Sequence, residues 1–441
     1  MAGKSALLIS GMGANNAIQG VMHELGDALE SIGQPVIHTT LDPAQAQYAV
    51  DQMSAGRISF AMTWLGFGQD FSVTFGSERR PTNIRELLRV LVSGKYPQSE
   101  KNQPQPTNVW DTFGVPLLKL HGDQPYYFID YHRDIPRNTV NIYGSEEAVY
   151  FRRRWLPEAQ AITMRFRAMP MTLVDRGQID MSLRRSGKLF FLKNGNSPTA
   201  LRQLWHERLP QSIEHLIVNM ADEIMPIGLK PGILHIGDFV ATHLAANDID
   251  PDSVRYLVPF FAAQLDDYLR RIKSTMIAEA ILDLPVVVSG SLWEHVDFTG
   301  RRAQLIEGQD FAVNRKIYAE QLGVIDMAPN VDTTPHDRVC RSAGSYSTVL
   351  TNRQGWFGEN FPGCSDLTFE FTPESIAARV SDAIAYPDRY LDLGVSFGER
   401  FRKLFSREVF AHRILEAVDL AKLRWNNEKP FIQNFFAWRK D

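Results

Sequence analysis

Apolar residues along this chain fall into short runs that alternate with helical stripes. A buried-strand run at 7–10 leads into the turn Gly11-Met12-Gly13, after which Ile18, Val21, Met22, Leu25, Leu29 and Ile32 recur at helical spacing. That spacing predicts an amphipathic helix of about four turns. Gly33 closes it and Pro35-Val36-Ile37 opens the next strand. The alternation continues with strands expected at 58–63, 115–120 and 140–143 and a helix at 84–91. Short apolar strands separated by helices imply right-handed crossovers and a parallel sheet. Segment 95–108, rich in Pro, Gln, Ser and Asn, is expected as an exposed loop.

A second α/β unit begins near Gly187, where a strand at 188–192 ends in Lys193-Asn194-Gly195-Asn196. A largely helical stretch follows at 199–281. Three more strand ends come next: Ser289-Gly290-Ser291-Leu292-Trp293, then Ala328-Pro329-Asn330 after a strand at 324–327, then a strand at 348–351. Between the last two, His336-Asp337-Arg338-Val339 reads as a helix start. Thr372-Pro373-Glu374 combines an N-cap, a proline at the first helical position and an acid in the first turn. Phe410, Ile414, Ala417, Val418 and Ala421 give the closing helix its apolar face. In open α/β sheets ligands bind outside the carboxyl ends of the strands, so the polar residues at these ends form the expected rim of a site.

At 441 residues the chain is too long for one ordinary core, and two domains are expected. The formal charge of -4 and pI near 6.3 argue against a nucleic-acid binder. No apolar run approaches the ~18 residues of a membrane span, and the early Ala6-Leu7-Leu8-Ile9 run is too short for a signal-peptide core, so a cytoplasmic protein is expected. Cys340 and Cys364 lie apart from any CxxC or Cys/His cluster, and free thiols that pack are expected rather than a disulfide or zinc site. No metal-ligand spacing is present, and a metal-independent protein is expected.

Two open α/β units facing across a cleft make the GT-B arrangement, and four ordered segments add a likeness. They are Phe113-Gly114-Val115-Pro116-Leu117 with Asp123-Gln124-Pro125-Tyr126, and Leu189-Phe190-Phe191 through Asn196. The third is Leu284-Pro285-Val286-Val287-Val288-Ser289-Gly290 with Trp293, and the fourth is Pro329-Asn330, His336-Asp337-Arg338-Val339 and Val349-Leu350-Thr351-Asn352. In this order the chain resembles the bacterial spore-maturation-protein-type (CgeB-like) glycosyltransferases. The resemblance implies two Rossmann-like domains: 1–180 on the acceptor side and 181–402 binding the nucleotide sugar, with a helical segment at its start. Residues 403–441 would return as a helix to the first domain. It further implies a nucleotide-sugar donor as co-substrate, no other cofactor, and an acceptor of unspecified class.

On that reading the donor would be held by Gly13, Lys193, Asn196, Gly290, Trp293, Asn330, Asp337, Arg338, Arg341 and Ser342. Arg338 would stabilise the leaving diphosphate, since charge-assisted donors aimed at developing charge lower the barrier. Arg341, one turn later, is expected to face the same anion. Asp123 is the candidate base, with His121 as the alternative. Two departures stand out: Arg341 occupies the place of a Glu that in the family bonds the donor ribose, and Tyr346 the place of a small residue, commonly glycine. A guanidinium cannot accept from ribose hydroxyls. Two other classes therefore stay open. One is a GT-B module that binds without catalysis. The other is a nicotinamide oxidoreductase using the Gly11-Met12-Gly13 turn, although its third glycine is replaced by Asn16.

Overall fold

The computed structural model describes residues 4–11, 16–73, 107–133, 135–156, 162–166 and 168–426. Strands are numbered in chain order. β1 (Ser5–Ile9), β2 (Val36–Thr39) and β3 (Ile58–Trp64) join β6 (Leu117–His121), β7 (Thr139–Tyr143) and β8 (Ile162–Arg165) in one parallel sheet of order β2-β1-β3-β6-β7-β8. β4 (Ser72–Val73) and β5 (Thr107–Asn108) form a separate antiparallel pair. β1 shows why its run is unbroken: Ala6, Leu7, Leu8 and Ile9 are all buried, as both faces of a parallel sheet are covered.

The second sheet, also parallel, holds β9 (Leu189–Leu192), β10 (Val287–Ser289), β11 (Gln304–Ile306), β12 (Gly323–Ile325), β13 (Thr348–Asn352) and β14 (Thr368–Phe369) in the order β11-β10-β9-β12-β13-β14. Relative to its first strand this is the 3-2-1-4-5-6 order of the dinucleotide-binding fold, with the chain reversing direction between β9 and β12. The first sheet reverses between β1 and β3. The expected α/β class with two Rossmann-like sheets facing across a cleft is therefore what the chain forms.

The first helix, Asn16–Glu30, buries Met22, Leu25 and Leu29 under the first sheet. Between β9 and β10 the helices Pro198–Arg208, Gln211–Gly228, Ile236–Ala246 and Leu257–Ala280 pack around Trp205, Met220, Phe261 and Leu265 as a core of their own. The Arg407–Asn426 helix lies against Asn16–Glu30 and β7, burying Ala411, Ile414 and Ala417. Thr372 caps Pro373–Ala385 as the sequence indicates, its hydroxyl accepting from Ser375 N. Both cysteines are free and buried. The expected helix at 84–91, most of the loop at 95–108, and Gly13 lie outside the described residues.

Candidate active site

A cavity of about 600 Å³ opens between the carboxyl ends of the two sheets. His121 and Asp123 reach it from the end of β6, Lys193 from β9, and His336, Asp337, Arg338 and Arg341 from the segment after β12. A smaller polar annex of about 240 Å³ adjoins it, lined by Asp123, Lys193, Asn196, Arg270 and Arg271.

Lys193 stands at the junction. Its backbone is fixed by the indole of Trp293, whose Nε1 donates to Lys193 O at 2.9 Å. The end of β10 comes so close that a Cβ on Gly290 would sit 2.2 Å from that same carbonyl oxygen, so only glycine fits there. Gly290 and Trp293 thus act by placing Lys193. Trp293 itself is buried in the core, stacked on His295 at 5.8 Å, and does not line the cavity. Among the described residues the Lys193 ammonium has no ion pair or hydrogen bond. Burial first, then the neighbouring Arg338 and Arg270, bring its pKa down to about 8.

The Asp337–Gly344 helix carries the densest charge. His336, its N-cap, lies with Nδ1 2.6 Å from Asp326 Oδ1 and Nε2 3.1 Å from Asp337 Oδ1. Arg338 NH1 is 3.1 Å from His336 Nδ1 and 3.6 Å from the fully buried Asp326. Burial pushes the Asp337 carboxyl up, but His336, Arg338 and Arg341 outweigh it and hold it well below the usual carboxylate range.

Arg341 is placed differently from the expectation that it shares an anion with Arg338. Its NH1 lies 3.2 Å from Glu24 Oε2 and 2.9 Å from Thr172 Oγ1, and its guanidinium sits 4.6 Å above the Phe311 ring. Glu24 belongs to the first helix and also accepts from Thr172 N at 2.7 Å. Arg341 therefore ties the two sheets together. Next to it, a Cβ on Gly344 would fall 1.7 Å from Met171 O, so the 170–174 connector lies directly on the helix end.

On the opposite wall, Asp123 Oδ1 is 3.2 Å from Arg270 NH1, and Arg270 Nε is 2.8 Å from the buried Asp266. His121 is buried, with Nε2 2.9 Å from Asn141 Oδ1 and its ring stacked on Tyr143 at 4.6 Å and His132 at 4.9 Å. Burial, then Lys119, lowers its pKa to about 3, so it is a neutral imidazole at pH 7. Of the two candidate bases, Asp123 is the one paired with a cation at the cavity, Arg270.

Asn330 and Ser342 lie away from this convergence. Asn330 Oδ1 accepts from Lys273 Nζ at 2.7 Å and its Nδ2 donates to Asp266 Oδ1 at 2.8 Å, fastening the loop after β12 to the helical block. Ser342 is fully buried. Asn196 faces the annex. Sequence reasoning passed over Arg270, Asp326 and Glu24. Asp266 and Arg270 at i,i+4 in a long helix were the one legible signal.

Among the described residues no group of three or more His, Cys, Asp or Glu could hold a metal ion, and no helix is long and apolar enough to cross a membrane. No protein-family model and no curated protein matches the chain. Among solved structures it is similar to T4 phage β-glucosyltransferase, at 8% identity over 94% of this chain and 99% of that one, with a TM-score of 0.48. It is also similar to AviGT4, a glycosyltransferase involved in avilamycin A biosynthesis, at 12% identity over 95% and 98% of the chains and a TM-score of 0.43. A third is sucrose-phosphate synthase from Thermosynechococcus elongatus, at 12% identity, 95% and 98% coverage and a TM-score of 0.40. Likeness at these scores carries no argument about activity, which rests on the geometry of the cleft.

Proposed function

We propose that this protein is a nucleotide-sugar-dependent glycosyltransferase of the spore-maturation type, dividing near residues 180 and 402 as the resemblance implies. The observation that carries the reading is the Lys193 ammonium, without a partner among the described residues, beside Arg338, at the switch point of a 3-2-1-4-5-6 sheet and on the wall of the 600 Å³ cavity. Two convergent cations at that place suit a diphosphate. In the transfer, the acceptor hydroxyl bonds to the anomeric carbon as the bond to the diphosphate breaks. Lys193 and Arg338 meet the charge gathering on the leaving oxygens, and Asp123, oriented by Arg270, takes the acceptor proton.

The Asp123–Arg270 pair and the commitment of Arg341 to Glu24 favour a second reading, a GT-B module that binds sugar nucleotides without transferring them. Calorimetry against UDP-, GDP- and TDP-sugars, run with a donor-hydrolysis assay, tests both. Binding with hydrolysis supports the transferase. Binding with no hydrolysis or transfer supports the second reading, and no binding at all removes both. Asp123→Asn should keep donor affinity and cut turnover, because an amide preserves shape but cannot take the proton. Transfer at the wild-type rate would remove Asp123 from the role of base.

A further inference from the structure

The cavity wall is chemically uneven: part of it is charged and part of it is a contiguous set of apolar side chains. The apolar part is made by Val21 of the first helix, Phe166 just after β8, Met169, Met171 of the connector, Phe311, whose ring carries Arg341 on one face, and Phe410 of the closing helix. Phe166 and Phe410 meet edge to face at 5.5 Å, which fixes the back of this wall. Phe311 closes its side, lying so near the first helix that a Cβ on Gly20 would come within 2.1 Å of the ring. Val21 belongs to the apolar stripe of which Met22, Leu25 and Leu29 are buried in the core, and Ile18 and Leu25 line the cavity with it. Val21 stays partly exposed, so the stripe continues past what the core requires and faces the cavity.

From this we infer that the acceptor carries its reacting hydroxyl on an apolar body, aromatic or alkyl, which lies against this wall while the diphosphate lies at Lys193 and Arg338. The inference rests on the transferase reading and adds the acceptor's class to it. A polar acceptor such as a free sugar would leave these apolar side chains wet. An apolar body removes that wall from water and leaves its hydroxyl directed at the charged part, where Asp123 lies. Methionine at two of the wall positions suits bodies of varied outline, because its unbranched thioether adjusts to fill irregular space.

The test is direct binding to the full chain by fluorescence or calorimetric titration. The probes are 4-methylumbelliferone as an aromatic phenol, n-octyl glucoside as an alkyl-chain compound, and glucose as the polar control. Wild type should bind at least one apolar probe about ten-fold more tightly than glucose. Val21→Asp and Ala168→Glu, the latter at a cavity-lining position between Phe166 and Met169, place a carboxylate at the wall and should each weaken that probe by about ten-fold while changing nucleotide-sugar affinity less than about two-fold. Circular dichroism and the melting midpoint identify a variant that fails to fold, and the two substitutions sit on different segments so that one can stand for the other. Preference for the phenol marks an aromatic acceptor, and preference for the octyl compound marks an alkyl one. The inference falls if glucose binds as well as both apolar probes, or if folded variants bind them like wild type. Apolar binding with no nucleotide-sugar binding would instead overturn the transferase reading and leave the apolar wall intact.

Discussion

Replacing Arg341 with Met separates a role in holding the molecule together from a role in holding a donor. The substitution removes contacts to Glu24 at 3.2 Å, Thr172 Oγ1 at 2.9 Å and Asp337 at 3.5 Å, and the stacking over Phe311 at 4.6 Å. Glu24 would then be a buried carboxylate holding only Thr172 N at 2.7 Å and Thr172 Oγ1 at 3.3 Å. Breaking a buried pair from one side costs about 3–5 kcal/mol, most of it from the stranded charge. Adding Glu24→Gln neutralises that charge while the amide oxygen still accepts from Thr172 N. The double variant should therefore be more stable than Arg341→Met alone, with a coupling of at least about 1 kcal/mol. Urea unfolding of the four proteins at pH 7 measures it, and calorimetry on the folded variants gives nucleotide-sugar affinity. Purely additive costs, or a ten-fold affinity loss in Arg341→Met at undiminished stability, would refute the reasoning and return Arg341 to the donor.

Arg338→Ala should weaken nucleotide-sugar binding by about 1.5–3 kcal/mol, the range for a charged hydrogen bond, while Asp326 keeps His336 and Thr351 and the fold stands. Unchanged calorimetric affinity would confine Arg338 to its pairing with Asp326. Lys193, with its pKa near 8, is charged below that pH and neutral above it, so donor affinity should fall as pH rises through 8 and Lys193→Met should flatten the profile. A wild-type profile that is level from pH 7 to 9 would exclude the ammonium from donor binding. Lys119 is fully buried in β6, and burial followed by Arg152 lowers its pKa to about 7. The unfolded chain then binds the extra proton between pH 7 and 10.5, so Lys119 makes stability rise with pH across that window by up to about 1.4 kcal/mol per unit. Lys119→Met should reduce the slope, and a denaturation series showing the slope unaltered would contradict this.

How much of this could be read from the sequence depended on whether a feature advertises itself locally. Strands β1 and β9 stand out because both faces are covered and the run is almost continuously apolar, and β3, β6 and β7 because only one or two polar residues interrupt the apolar ones. β11 did not, since Gln304 and Leu305 are exposed at the sheet edge and leave no apolar pattern. The Pro43–Ser54 helix was missed although Asp42 caps it, because only Ala49 and Met53 are buried and the stripe is too thin to count. Asp123 and Lys193 were legible as polar residues directly after buried runs. Their partners were not. Arg270 meets Asp123 across 147 residues and Glu24 meets Arg341 across 317, and no local spacing records such a contact.

The two departures from the family pattern become intelligible together, through the 170–174 connector. Met171 N donates to Cys340 O at 3.1 Å and Val174 N to Gly344 O at 3.1 Å, so the connector runs along the end of the Asp337–Gly344 helix. That close approach is why glycine stands at 344. Tyr346 then takes the left-handed conformation, φ 54°, that a glycine would take without strain, at a cost on the order of 1–3 kcal/mol. What offsets the strain comes in part from the tyrosine side chain and in part from its backbone carbonyl. Arg402 NH1 donates to its hydroxyl at 2.7 Å and stacks 4.3 Å from its ring, while Arg184 NH1 donates to its carbonyl at 2.8 Å. Arg402 also donates to Val174 O at 3.0 Å and to Gly344 O at 2.6 Å, so the same guanidinium fastens the connector. Arg341 fastens it from the other side, through Thr172 and Glu24. Arg341, Gly344 and Tyr346 thus form one clamp between the sheets. The surface that the resemblance assigns to the donor ribose is used here to fix the cleft, and on the proposed reading the donor is held chiefly through its diphosphate at Lys193 and Arg338.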